Sequence, residues 1–527
     1  LTLHEAAWHH YTAAWATLNT TARRRAERVR DYAAFRQSAV TDAPTSGMRA
    51  VVLEQDGQGR ADSLVARLMA NGITVKRLGV ETPVADAILY GGASGSARVA
   101  AGSYVVDLAQ PAGRLARALL EPDAQLDSSF IREELEGRRT NQPSRFYDVT
   151  AWSLPHTFRV RAWGTRTMPT GEELRSDYFA PRRAILPSPT GSPPVAWVFE
   201  PGSEASTRLL AALLADSIKV WYAPRSFRAG GSRFPNGAFV IRVAPNGINS
   251  FARVNRAVGS TGAKVTVLTS MLVDEGTDLG SNSVIPIRSP SVALVGGAPI
   301  QGNSFGFAWY AFDQRIGLPV TTIAAASISN ALLESFNVLV VPSVGTAAFD
   351  ATLGDAGRAA LGTWVRNGGV LVTLDGASGW VANERVGLVR LRLRRDTTRA
   401  DSSGGAPLAA SVPGAILRAH GDTLSPLLAG VRGADIPVLM FSDRVFATPR
   451  DLRAGEAAIR YAPEARLRLA GYLWPEVPAR VAGSPYLWTE RVGRGRVIAF
   501  AGDPNFRDMW RGLLPIFANA VLLGGSF

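Results

Sequence analysis

Apolar residues recur at intervals of three and four positions along residues 1–40, which predicts one or two amphipathic helices. From residue 47 the pattern changes to short apolar runs, several of which are followed by a helical stretch of about 10 to 12 residues. This alternation is typical of parallel βαβ units, so we expect an α/β module over residues 47–140.

The same order of runs recurs over residues 193–288, which predicts a second α/β module that repeats the first. The two stretches align at three pairs of residues, which are Glu54 with Glu200, Leu68 with Leu213, and Ile73 with Ile218. Residues 141–192, rich in aromatic residues and proline, are predicted to be an extended connector between the modules.

A glycine-rich segment, GGASGSARVAAG at residues 91–102, has the composition of a phosphate-binding loop. Such a loop follows an apolar strand and opens a helix, and this segment does neither. The sequence therefore predicts a flexible connector here.

Strands and helices alternate again over residues 289–527, which predicts a doubly wound α/β domain with an insertion at about 381–486. Ligands bind such sheets outside the carboxyl ends of the strands. Polar residues follow three of the predicted strands, and they are Ser343, Asp375, Asp503 and Asn505. Paired carboxylates there could perform acid–base chemistry, hold a cation or bind a ligand. The alternative is that each residue caps a loop or the following helix.

The opening HEAAWHH has the composition of a zinc-binding motif but not its spacing. Two histidines four residues apart share one helix face, whereas His4 is followed at that distance by Trp8. His9 lies one residue further on and points about 140° away from His4. The pattern H-x-x-E fails at every histidine of the chain, so we predict no metal site within it and surface imidazoles on a helix.

The composition narrows the classes of function further. The chain has no cysteine, which excludes disulfides, thiolate nucleophiles and cysteine metal sites. The net charge of +13 suggests nucleic-acid binding, but the arginines are scattered along the chain, so we expect no nucleic-acid partner. No apolar run reaches the ~18 residues of a membrane span, so none is expected.

Several segments together resemble the region that follows the catalytic domain in large bacterial zinc carboxypeptidases of the carboxypeptidase A-like superfamily. The helical opening, residues 1–35, resembles the tail with which that catalytic domain ends. The later landmarks are AGSYVVDLAQPAGRLARALLEP, FYDVTAWSLPHTF, GYLWPE, GSPYLWTERVGRGRVIAFAGDPNFRDMW and the final helix. The resemblance implies that residues 1–46 are the helical tail and linker of an absent catalytic domain.

The same resemblance implies the activity and the partners. The zinc ligands and the general-base glutamate of the family would lie upstream of residue 1, so this chain would hold no cofactor and the missing domain would hold zinc. The chain would be the non-catalytic accessory part of a periplasmic or secreted peptidase that removes C-terminal residues from peptides. Its partners would be the peptidase domain and the peptide substrate of the parent, and its oligomeric state stays open.

Residues 289–527 also resemble the class I glutamine amidotransferase-like fold. That activity needs a cysteine at the turn after a central strand, and residues 375–378 stand at this place without one. The alternative function is a small-molecule or glycan-binding protein whose site lies at the strand ends of this last domain.

Overall fold

The computed structural model describes residues 2–42, 47–140, 142–179, 184–186, 192–247, 249–394, 412–447 and 455–527. Contacts divide the chain into two compact units. The first unit comprises residues 1–55, 63–121 and 161–178, and the second comprises residues 56–62, 122–160 and 179–527. Residues 180–183 and 187–191 of the predicted connector lie outside the described residues, as do residues 395–411 and 448–454 of the predicted insertion.

The first unit begins with two helices, α1 (Leu3–Arg23) and α2 (Arg25–Thr41), as the periodicity predicts. Thr2 caps α1 through a reciprocal pair of hydrogen bonds with Glu5, which satisfies backbone groups that a helix start leaves open. No side chain of α1 is buried, and α2 buries only Ala39. The three histidines of α1 are exposed, as expected.

The rest of this unit is a seven-stranded sheet with two further helices. Its elements are β1 (Ala50–Leu53), α3 (Arg60–Ala70), β2 (Lys76–Arg77), β3 (Thr82–Leu89), β4 (Ser94–Val99), β5 (Tyr104–Asp107), α4 (Gly113–Leu120), β6 (Ala162–Thr165) and β7 (Glu172–Glu173). The strand order is β4-β3-β6-β1-β5-β2-β7. The first three residues of α3 fall within the second unit.

The second unit opens with two short helices and a five-stranded sheet. These elements are α5 (Ser128–Arg139), α6 (Leu154–Thr157), β8 (Ala196–Phe199), α7 (Glu204–Ala215), β9 (Trp221–Ala223), β10 (Phe227–Ala229), β11 (Ser232–Phe234), β12 (Ala238–Arg242), α8 (Ser250–Thr261), β13 (Thr266–Leu268) and β14 (Ile285–Pro286). The order β13-β8-β12-β9 matches β6-β1-β5-β2 of the first sheet strand for strand. The two sheets therefore share one topology, in keeping with the repeat seen in the sequence.

The α/β class is confirmed, but the parallel pairing expected within the two modules is wrong. Strand β5 pairs antiparallel with both β1 and β2, and β12 pairs antiparallel with both β8 and β9. In each module the helix after the first strand leads to a second strand that runs in the same direction, β1 to β2 and β8 to β9. The central strand, β5 or β12, lies between these two and runs in the opposite direction. Apolar runs of the same length serve either direction, so the sequence pattern does not distinguish them.

Two further expectations for the first module differ from the structure. The glycine-rich segment at residues 91–102 is not a loose connector, because β4 within it pairs with β3 over most of its length. The segment expected to be a connector supplies β6, which pairs with β1, and β7, which pairs with β2. The domain boundaries as a whole stay a prediction.

The last domain holds the largest sheet of the described chain. Its elements are β15 (Val292–Gly296), α9 (Gly302–Tyr310), β16 (Thr321–Ala324), α10 (Asn330–Leu333), β17 (Val338–Val341), α11 (Thr346–Arg366), β18 (Val370–Leu374), α12 (Gly376–Val381), β19 (Arg392–Leu393), β20 (Ala415–Gly421), β21 (Asp435–Met440), β22 (Phe446–Ala447), β23 (Glu456–Tyr461), β24 (Arg468–Ala470), α13 (Val477–Val481), β25 (Pro485–Val492), β26 (Gly495–Phe500) and α14 (Leu514–Leu522).

The parallel half of this sheet has the order β16-β15-β17-β18-β26. In order of appearance within the parallel half these are strands 2-1-3-4-5, a doubly wound order whose switch point lies between β15 and β17. Strands β15, β17 and β18 are buried at every residue, as expected of strands covered on both faces.

The insertion at about 381–486 does not stand apart from this sheet. Strands β20, β21 and β23 extend it beyond β26 and β25 by antiparallel pairing. Among the described residues, no helix is both long and apolar enough to cross a membrane.

Candidate functional site

The four polar residues singled out in the sequence lie at one edge of the parallel sheet. Asp375 comes directly after β18, Ser343 follows β17 by one intervening residue, and Asp503 and Asn505 follow β26. Because these three strands are parallel and adjacent, their carboxyl ends meet, and the residues that follow them are neighbours.

Short hydrogen bonds join the two carboxylates to two serines. The Oγ of Ser343 donates to Oδ2 of Asp375 at 2.6 Å, and the Oγ of Ser304 donates to Oδ2 of Asp503 at 2.6 Å. The backbone N–H of Ser343 donates to the Oγ of Ser304 at 2.9 Å, which links the two pairs. We call Ser304, Ser343, Asp375, Asp503 and Asn505 the strand-edge site.

The sequence analysis missed two residues of this site, Ser304 and Arg444. Ser304 lies in the first turn of α9, after β15, so the strand-end rule used for the other residues could have found it. Arg444 comes from the insertion, and its Nη1 lies 2.7 Å from Oδ1 of Asp375. Only the folded sheet brings a residue 69 positions away to this carboxylate.

The backbone is strained at Asp375. Its φ of 45° and ψ of −109° form a sharp turn between β18 and α12. A Cβ built on the next residue, Gly376, would lie 2.2 Å from the carbonyl oxygen of Val344, so only glycine fits there. Non-glycine residues held in such conformations cluster at functional sites, and a strained strand-to-helix turn presents its side chain at the sheet edge.

Asp503 is half-buried and has no basic partner among the described residues. Burial raises the pKa of its carboxyl to about 6, and the nearby charge of Asp375 acts in the same direction. Hydrogen bonds from Ser304 and from the backbone N–H of Asn505 oppose this rise in pKa. The group is therefore ionised for the most part at neutral pH and takes up a proton in mildly acidic solution.

Two buried donors beside the carboxylates lack an acceptor within the described structure. The Nδ2 of Asn505 and the hydroxyl of Tyr486 are both without a hydrogen-bond partner, although the two residues are 5% and 0% exposed. Burial raises the pKa of Tyr486 well above its usual value, with Tyr461, Asp503 and Asp375 acting in the same direction. Both atoms have almost no accessible surface, so each is a buried donor that the described structure leaves without an acceptor.

The loop after Asn505 is held in place by ion pairs. Arg507 and Asp508 both adopt a φ of 54°, which is unusual for residues other than glycine. Arg507 pairs with Asp148 at 2.8 Å, and Asp508 pairs with Arg315 at 2.5 Å. These contacts fix the loop that follows Asp503 and Asn505.

The described residues contain no group of three or more His, Cys, Asp or Glu side chains placed to hold a metal ion. The strand-edge site offers two carboxylates and two hydroxyls, one carboxylate of which is already paired with Arg444. Whether this set binds a ligand stays a prediction.

No family model matches the chain. No curated protein matches it either. Solved structures that it resembles include a putative ThuA-like protein from Bacteroides uniformis, at 14% identity and a TM-score of 0.31 over 44% of this chain and 89% of that one. PurLQS from Thermotoga maritima is similar at 10% identity and a TM-score of 0.32 over 44% and 97% of the two chains. A glutamine amidotransferase is similar at 15% identity and a TM-score of 0.28 over 44% and 98%.

These scores carry no argument about what the site binds or does. Likeness to amidotransferase-like folds is in keeping with the mixed α/β architecture. That the chain is part of a zinc carboxypeptidase stays a prediction.

Proposed function

We propose that the chain is the non-catalytic accessory and interaction part of an exported zinc metallocarboxypeptidase. The resemblance of its segments to the region after that catalytic domain supports this function. The structural observation that supports it best is the exposed apolar face of α1, because a contiguous exposed apolar face marks an interaction surface. Zinc and peptide substrate then belong to the peptidase domain.

The exposed face of α1 consists of Trp8, Tyr11, Trp15 and Leu18, which we call the α1 face. At 100° per residue these positions fall within about 80° of one another around the helix. Their exposed fractions are 60%, 59%, 59% and 65%. Tryptophan and tyrosine anchors are the residues that contribute most to protein interfaces.

This proposal is tested by measuring the affinity of the chain for the catalytic domain encoded upstream of it. Replacing Trp8 and Trp15 together by alanine is expected to weaken binding at least tenfold, since each buried aromatic anchor contributes about 2 kcal/mol. A control that replaces His10 and Thr17, on the opposite side of α1, by alanine is expected to bind like the unchanged chain. Equal affinities for all three proteins, or no binding by any, would count against the proposal.

A second candidate function, binding of a small molecule or glycan, is favoured by the strand-edge site. The observation that carries it is the pair of carboxylates that hydrogen bonds link at the carboxyl ends of β18 and β26, where ligands bind such sheets. The two functions are compatible, because the α1 face and the strand-edge site belong to different units.

This second function predicts that Asp375→Ala and Asp503→Ala each abolish ligand binding while the melting temperature stays nearly unchanged. Neither carboxylate lies in the apolar core. Asp375 and its partner Arg444 are 21% and 25% exposed, so water can solvate the arginine that Asp375→Ala leaves unpaired. A thermal-shift screen of small metabolites and oligosaccharides, followed by calorimetry on any hit, provides the measurement. If both substitutions destabilise the fold and leave every ligand unaffected, the residues are loop caps.

A further inference from the structure

We propose that a cavity at the amino ends of β17 and β18 binds a small zwitterion, a molecule that carries both a free carboxylate and a free ammonium group. This chemistry is shared by free amino acids and short peptides. The inference goes beyond both proposed functions, because it concerns a separate site at the other end of the parallel strands from the strand-edge site.

The cavity lies where two parallel strands begin. Asn337 comes directly before β17 and Gly369 directly before β18, and both residues line it. Because β17 and β18 pair in parallel, their amino ends meet here and their carboxyl ends meet at the strand-edge site. The cavity has a volume of about 390 Å³, which is within the range of roughly 300 to 1,000 Å³ for ligand clefts. We call it the amino-end cavity.

Part of the cavity wall is packed and already hydrogen-bonded. The Nε1 of Trp364 donates to the carbonyl oxygen of Phe336 at 3.1 Å, and the amide of Asn337 bonds to backbone groups through both its oxygen and its nitrogen. Trp364 is 9% exposed, and a Cβ built on Gly369 would lie 2.4 Å from its indole ring. These residues shape the cavity, and Trp364 offers a ligand little ring surface.

The other polar side chains that line the cavity are exposed and free to bind a ligand. They are Arg288, Asn330, Glu334, Thr363 and Asn367. Within the described part of the chain, no hydrogen bond or ion pair engages any of these five side chains. One positive charge, one negative charge and three neutral polar groups therefore line one cavity with their bonding capacity unused.

The charges of Arg288 and Glu334 select the class of ligand. A guanidinium group binds a carboxylate with two parallel hydrogen bonds, and a carboxylate accepts hydrogen bonds from an ammonium group. Glu334 would repel an anion and Arg288 would repel a cation, so a ligand with both charges complements the cavity better than a ligand with one. A sugar ring stacks best on an exposed aromatic face, which Trp364 does not provide. The neutral polar side chains remain for the other groups of the ligand.

The test is calorimetric titration of the whole chain with L-alanine, di-L-alanine and tri-L-alanine at millimolar concentrations. Each compound is also used with its amino group acetylated or with its carboxylate converted to an amide, and each of these caps removes one charge. We expect an unmodified compound to bind and each cap to weaken its binding about fivefold, the upper value for an exposed ion pair. Tightest binding of L-alanine identifies a free amino acid as the ligand, and tightest binding of a longer compound identifies a peptide.

Two substitutions assign each charge of the ligand to its partner. Arg288→Gln is expected to weaken binding of the unmodified compound about fivefold and to leave binding of its amidated form unchanged, because that form has no carboxylate. Glu334→Gln is expected to do the same with the acetylated form, which has no ammonium group. Both residues are exposed, so the melting temperature is expected to stay the same. The matched changes Arg233→Gln and Glu464→Gln, at exposed residues outside the cavity, are expected to leave every affinity unchanged.

The opposite results would overturn the proposal. Equal binding of the capped and unmodified compounds would show that the charges of the ligand are not recognised. If Arg288→Gln weakened binding of the amidated and unmodified forms equally, the arginine would not be the partner of the carboxylate. Absence of binding by all of the compounds would overturn the proposal as well. None of these results affects the α1 face or the strand-edge site, which have their own tests.

Discussion

Replacing Gly376 by alanine is expected to destabilise the second unit by about 3 kcal/mol, the upper range for forcing extra volume into a packed site. The added Cβ would lie 2.2 Å from the carbonyl oxygen and 2.9 Å from the nitrogen of Val344. Both are backbone atoms, so the turn after Asp375 has to open and the strand-edge site with it. Urea unfolding of the variant and the unchanged chain measures the difference in the free energy of unfolding.

Gly345→Ala is the matched control for this substitution. Gly345 has a φ of −67°, and a Cβ built there meets nothing nearer than 4.0 Å. Alanine fits that conformation and restricts the unfolded chain, which offsets its lower preference for the N-cap position of α11, so a change of less than about 1 kcal/mol is expected. Two equally stable variants would show that the turn is not as tight as the structure has it.

Arg511→Ala is expected to cost about 3 kcal/mol of the free energy of unfolding, because it removes the most buried arginine that pairs with two carboxylates. The side chain of Arg511 is 6% exposed and pairs with Asp508 at 3.2 Å and with Glu204. Arg315 also pairs with Asp508 and, at 3.8 Å, with Glu204, which limits the loss. Since Asp508 lies in the loop after Asn505, we expect the substitution to lower the melting temperature and to weaken ligand binding together.

The control for this prediction is Arg228→Ala in the same unit. Arg228 pairs with Glu275 at 3.8 Å, and the two side chains are 52% and 64% exposed. Exposed pairs of this kind contribute about 0 to 1 kcal/mol, so thermal unfolding is expected to change little. Similar melting temperatures for the two variants would mean that the buried ion pairs do not hold the loop.

Periodicity and strand ends were enough to predict several features from the sequence. Helices α1 and α2 follow from apolar spacing, because a helix repeats its face every three to four residues whatever it packs against. The grouping of Ser343, Asp375 and Asp503 follows from a topological rule, because parallel strands end at one edge. Neither inference requires knowledge of distant contacts.

The features that the sequence did not predict depend on such contacts. The central strands β5 and β12 run antiparallel, and nothing in an apolar run reports the direction of its neighbours. Strand β4 reads as a polar, glycine-rich loop because its stability comes from pairing with β3 rather than from its own burial. Arg444 and Tyr486 reach the strand-edge site only through the fold of the insertion and of β25.

The most direct test of the proposed accessory role is the intact mass and N-terminal sequence of the native protein, with its zinc content measured on the same sample. We predict a polypeptide much longer than 527 residues that carries about one zinc ion per chain. A native protein that begins at Leu1 and contains no zinc would contradict the peptidase parentage. Ligand binding at the strand-edge site would then be the remaining proposed function.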